Sequence, residues 1–136
     1  MRLTPKSRLP GLKTKVGQEL LRVHKNYQLL LAKVPLRLIK GLAHITGGGL
    51  IDNVPRVLPK NCRAAIDSKS WQVPPIFRLL QERGKVDSAE MYQVFNMGIG
   101  MVAIVAERDA TRVAAMLKAK RIGRIERGSG KTRLVL

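Results

Sequence analysis

The chain has 136 residues, 45% of them hydrophobic and only 4% aromatic, and a net charge of +17. That is enough chain for one domain with a mainly aliphatic core; it argues against intrinsic disorder, and no apolar run is long enough to cross a bilayer. The one cysteine, Cys62, excludes an internal disulfide and a cysteine-spaced metal site, and reads as a small buried hydrophobe in a reducing compartment.

Residues 1–18 hold two prolines, two glycines and five basic residues, and read as an arm without its own core. The start lacks the apolar segment of a secretory leader. It is basic with no acid before Glu19, as in a transit segment, so the expected compartment is the cytoplasm or an organelle matrix. Residues 19–136 read as the domain. Val23, Tyr27, Leu30, Leu31 and Val34 have helical spacing, predicting a helix from Val23 to Lys33 that Pro35 stops. Leu38 to Ile45 reads as a buried strand. Gly47-Gly48-Gly49 turns the chain, and a short helix follows from Leu50 to Leu58, its regularity limited by Pro55.

Arg63 to Asp67 is a short strand. Pro74-Pro75 opens a helix that Gly84 ends. Asp87 and Glu90 have capping-box spacing and start a helix through Phe95. The apolar run from Gly98 to Ala106 reads as a central strand. Asp109 caps a helix whose apolar side carries Val113, Met116 and Leu117. Ile122–Ile125 and Thr132–Leu136 predict a terminal hairpin around Gly128-Ser129-Gly130. The expected fold is α+β, a mixed β-sheet with helices packed mainly on one face.

Two glycine-rich stretches carry the chemistry. The first is the triplet 47–49, where residues without a Cβ let backbone approach a ligand and N–H groups at a helix start can hold phosphate. His44 and Thr46 add an imidazole and a hydroxyl donor. Asp52 and Asn53 either cap the short helix or face the ligand. The second is Asn96-Met-Gly-Ile-Gly100, where Asn96 orients a ligand or closes a turn. The anion-binding candidates are therefore His44, Thr46, Gly47, Gly48, Gly49, Asn53 and Asn96. Trp71 reads as a core anchor. Gly128-Ser-Gly-Lys-Thr132 fails as a nucleotide loop, because Ile125 stands where that pattern needs its first glycine. No catalytic triad, carboxylate pair or metal cluster stands out.

Charge sits at the ends. Residues 1–40 carry ten Lys/Arg against one acid, residues 41–107 seven against six, and residues 108–136 nine against two. Basic ends attract polyanions. Arg2, Lys6, Arg8, Lys13, Lys15, Lys120, Arg121 and Arg124 are the candidate contacts for RNA in a ribonucleoprotein or organellar ribosome, the alternative to a metabolic role.

Gly41-Leu-Ala-His-Ile-Thr-Gly-Gly-Gly49, Asn53-Val-Pro-Arg-Val-Leu-Pro59, Trp71 with Pro74-Pro-Ile-Phe77, and Glu90-Met91 with Phe95-Asn-Met-Gly-Ile-Gly-Met101 resemble the C-terminal domain of aminoimidazole ribonucleotide synthetases. The resemblance runs from about Gly17 onward. It implies an ATP- and Mg2+-dependent ring closure of formylglycinamidine ribonucleotide in purine synthesis. It also implies that the ATP and Mg2+ sites lie on an N-terminal domain outside this chain, and that the active cleft forms against that half within a dimer. The first strand and helix of the C-terminal domain are expected to be missing, leaving an incomplete domain with an open sheet edge. Val23-His24 replaces the family's Pro-Thr pair, a few residues are inserted near Pro35–Leu38, and several are deleted between Lys120 and Ile122.

Overall fold

A computed structural model describes residues 3–135. Its strands form two small sheets. β1 (Ile39–His44) pairs antiparallel with β3 (Met101–Val105). β2 (Cys62–Asp67) lies between β4 (Gly123–Arg127), antiparallel to it, and β5 (Arg133–Val135), parallel to it. The helices are α1 (Val16–Leu20), α2 (Gln28–Leu31), α3 (Gly49–Asn53), α4 (Pro75–Gly84), α5 (Ser88–Val94) and α6 (Ala110–Leu117). The α+β class with mixed strand pairing agrees with the expectation from sequence.

The core is aliphatic, as the composition requires. Ile45, Leu50, Val54 and Met91 are its most deeply buried large side chains. Trp71 anchors one end. It meets Tyr92 edge to face at 6.2 Å, and its Nε1 donates to the Met97 carbonyl at 3.0 Å. That bond satisfies the one polar atom of the indole, so the ring stays buried without a desolvation penalty.

Several local signals work as expected. Pro75 occupies the first turn of α4, and Asp87 caps α5 by accepting from the Ala89 amide at 2.9 Å. The helix after the glycine triplet runs to Asn53 and passes into a 3-10 turn at Pro55–Val57.

Five expectations need correction. The helix from Val23 to Lys33 is a single turn, α2. Asn26 Oδ1 accepts from the Gln28 amide at 2.9 Å, a local turn that competes with helix upstream. Val23 is 95% exposed and has no core to face. Asp109 stands at the N-cap position of α6, but its side chain makes no capping hydrogen bond, because a 3-10 turn at Glu107–Asp109 runs directly into that helix. The terminal hairpin does not form. β4 and β5 flank β2 on opposite sides, and Leu136 of the predicted second arm lies outside the described residues. β3 is not central among the described strands, since β1 is its one partner. Cys62 is half-buried at the start of β2 rather than in the core.

A charge cluster ties the three-stranded sheet together. Glu126 of β4 accepts from Arg63 Nε of β2 at 2.8 Å, with Arg124 at 3.4 Å and Arg133 of β5 at 3.5 Å. The Arg63 hydrogen bond, helped by the charges of Arg63, Arg133 and Arg124, holds the Glu126 carboxyl below its ordinary value. A carboxylate whose folded pKa is depressed adds stability above its unfolded pKa and loses it as pH falls through the folded one. Wild type and Glu126→Gln should therefore differ most in Tm above about pH 5 and converge in acid. Thermal melts from pH 7 down to pH 3 check this.

Candidate functional site

The two glycine-rich stretches meet in space. The Ile45 amide donates to the Gly100 carbonyl at 2.9 Å, which sets the end of β1 beside the Asn96–Gly100 loop. Gly49 packs so closely on the C-terminal end of α5 that a Cβ there would overlap the Tyr92 and Phe95 carbonyl oxygens. Gly48 and Gly49 both have left-handed φ, +95° and +54°. The triplet is thus built for one backbone path.

Asn53 fixes that path from below. It is 5% exposed, and its Nδ2 faces the carbonyls of Gly49 at 2.8 Å, Gly47 at 3.2 Å and Thr46 at 3.4 Å. The N-cap of α3 is Gly48, so neither Asp52 nor Asn53 stands at that position.

The loop's upper side is open. His44, Thr46 and Gly47 are exposed, and a Cβ on Gly47 would meet nothing within 4 Å. Among the described residues the Gly47 and Gly48 amides donate to no protein acceptor. Two N–H groups without a protein acceptor at a helix start, next to Thr46 in the chain and with the Asp52 carboxylate lying against Gly48, are the loop's candidate contacts for a phosphate or carboxylate oxygen.

The structure adds His24 to this edge. Its ring lies 5.6 Å from that of His44 and 5.5 Å from that of Tyr27. Burial raises the Tyr27 phenol above its ordinary pKa, so it remains a neutral donor beside Gly100. The sequence marks His24 only as part of the Val23-His24 replacement, with no sign that it meets His44, which stands twenty residues away. Asn96 is half-buried, and its Oδ1 accepts from the Gly98 amide at 3.0 Å, closing the second glycine turn.

Lys120, Arg121 and Arg124 border one cavity. Lys6, Arg8 and Lys13 are exposed, Lys15 is half-buried, and Arg2 lies outside the described residues. Arg121 forms a two-pronged pair with Glu107 at 2.8 Å on both prongs, and Arg124 lies 3.4 Å from Glu126. Lys120 is exposed.

Donors for a divalent cation are sparse. Among the described residues no three His, Cys, Asp or Glu side chains gather into a possible metal site. Among the described residues the carboxylate donors that Mg2+ prefers do not converge. Gly128-Ser-Gly-Lys-Thr132 forms the turn between β4 and β5, not a strand-to-helix phosphate loop. No helix among the described residues is long and apolar enough to cross a membrane.

Comparison with known proteins shows the family to which this chain belongs. The chain is 44% identical over 132 residues to a phosphoribosylformylglycinamidine cyclo-ligase of Syntrophus aciditrophicus, covering 90% of this chain and 37% of the relative. It is 48% identical over 129 residues to the protein of that name from Bacillus cytotoxicus, covering 88% and 36%. The chain therefore spans about a third of the length of these relatives. Two structures of E. coli HypE, one described as a hydrogenase maturation protein, share the fold. Their TM-scores are 0.54 and 0.57 at 23% and 22% identity, with 78% and 86% of this chain covered and 34% and 40% of theirs. A family model for the C-terminal domain of AIR synthase related proteins matches residues 4–135. The chain belongs to the AIR synthase related protein family, through that family's C-terminal domain.

Proposed function

We propose that this chain is the substrate-side portion of a phosphoribosylformylglycinamidine cyclo-ligase, the enzyme that closes the imidazole ring of aminoimidazole ribonucleotide in purine synthesis. The observation that carries this reading is the pair of uncommitted amides at Gly47 and Gly48, held open by Asn53 and α5. They are suited to an anionic group of the ribonucleotide, with Thr46 and His44 adding side-chain donors. Asn96 keeps the neighbouring loop in place. In this reaction ATP supplies the phosphoryl group that turns the amide oxygen of formylglycinamidine ribonucleotide into a leaving group. The role of these residues is to orient and hold. Fixing the nucleotide makes ring closure a matter of one internal approach, amine nitrogen to amide carbon. Donors already aimed at an anion need no reorganisation as charge moves.

The reading requires a second wall that carries the ATP site, supplied by the preceding portion of such an enzyme. Mixing this chain with the part of the B. cytotoxicus relative that precedes the matched third should restore ATP-dependent formation of aminoimidazole ribonucleotide. Neither piece should act alone. A mixture that forms a complex yet yields no product above either piece would refute the proposal.

A further inference from the structure

A second groove lies apart from the glycine loop. Its volume is about 620 Å³, the size of a small-molecule site, and none of the glycine-loop candidates lines it. Buried Trp71, Tyr92 and Met97 form its floor. Its rim comes from the 3-10 turn Ser68–Ser70, from α4 and α5, and from Lys120 beyond α6.

The lining carries one sign of charge. Lys69, Arg78 and Lys120 border the groove, and among the described residues no Asp or Glu does. All three cations are exposed, and none has an ion pair among the described residues. Arg63, Arg121, Arg124 and Arg133 elsewhere each meet a carboxylate within 3.5 Å. Asp67 faces its own turn, where Oδ1 accepts from the Lys69 amide at 2.9 Å. Cations without an internal partner around a concave surface concentrate anions there.

The groove is also preformed. The Met97 carbonyl holds Trp71 Nε1, and the Tyr92 ring packs against the indole. Gln81 Nε2 of α4 donates to Ser88 Oγ of α5 at 2.9 Å, which leaves the Ser88 hydroxyl its own proton to donate. Ser68 and Ser70 donate to the Val135 and Asp67 carbonyls at 2.9 and 2.6 Å, fixing the turn that carries Lys69. Walls already set lower the ordering cost of binding.

We propose that this groove binds a phosphorylated small molecule. The planar Arg78 guanidinium takes the phosphate, Lys69 and Lys120 add charge, and Ser88 donates its hydroxyl. The organic part of the ligand lies against Trp71 and Val73. Three cations match the charge of a phosphate ester better than that of a lone carboxylate. The site is independent of the ring-closure reading and stands whether or not that reading holds.

Trp71 is the one tryptophan of the chain, so its fluorescence reports on the groove directly. Titration with ribose 5-phosphate should give a saturable change, half-complete at about 1 mM or below. Arg78→Gln combined with Lys69→Gln should raise that midpoint at least tenfold and leave the Tm unchanged, because both side chains are exposed and unpaired. Gly47→Ala should not move the midpoint, since the glycine loop is a different site. No saturable change, or the same midpoint in the double variant, overturns the proposal. So does an equal response to ribose, or to sodium sulfate at the same ionic strength. A response to single-stranded RNA with none to ribose 5-phosphate overturns it as well. Absent ring closure in the reconstituted mixture, with the titration intact, removes the functional reading and leaves the groove; ring closure without the titration does the reverse.

Discussion

Gly49→Ala should destabilise the chain by about 3 kcal/mol or more, on the order of 10 °C in Tm, with Gly47→Ala nearly neutral in the same melt. The two positions differ in what surrounds them. At Gly49 a methyl group would overlap the Tyr92 and Phe95 carbonyl oxygens, which are backbone atoms at the end of α5 and its C-cap and cannot rotate away. The φ of +54° adds a second penalty for any residue with a Cβ. At Gly47 the added methyl enters open space. On the open side of the loop it should obstruct an incoming anion, and in the reconstituted mixture it should reduce ring closure about tenfold, the equivalent of one lost hydrogen bond to the substrate anion. Thermal melts and product assays on the two variants separate scaffold from site. Equal loss of stability in both would contradict this division.

Asn53→Asp should be at least comparably damaging, by about 3–5 kcal/mol at neutral pH. The amide nitrogen of Asn53 faces three carbonyl oxygens, and a carboxylate there would face the same oxygens with no proton to offer. Burial and repulsion would raise the folded pKa of the new carboxyl above its unfolded value. The folded state then binds the extra proton, so the deficit relative to wild type should shrink as pH falls from about 7 toward 4. Asn53→Ala loses the bonds without adding charge, and should show a smaller, pH-independent deficit of about 2–3 kcal/mol. Tm differences from wild type, measured across that pH range, check both.

Local chemistry was readable from the sequence, and distant pairing was not. Pro75, Asp87 and the glycine triplet mark their elements because each acts on its own backbone within a few residues. The terminal hairpin was inferred from Gly128-Ser129-Gly130, a valid turn signal, but the preferred partner of both arms is β2. Gly123 sits against the Ala65 carbonyl, and Gly128 against the Arg63 stem. Neither contact leaves a local trace. Apolar spacing suggested a longer helix at Val23–Lys33 because periodicity cannot reveal whether a core lies opposite. At the site, the triplet, His44 and Thr46 could be found by residue type. The grip of Asn53 on the loop and the approach of His24 to His44 are products of the folded chain path.

The salt link between Arg63 and Glu126 joins residues 63 positions apart. During synthesis on a ribosome, β2 is made long before either strand that will flank it. Its backbone donors and acceptors, and the buried side chains of Ala64, Ala65 and Ile66, spend that interval without their sheet. Closing so long a loop is slow, and an unmatched strand can recruit a neighbouring nascent chain. The window between the emergence of β2 and that of β4 is therefore when the nascent chain is most exposed to mispairing.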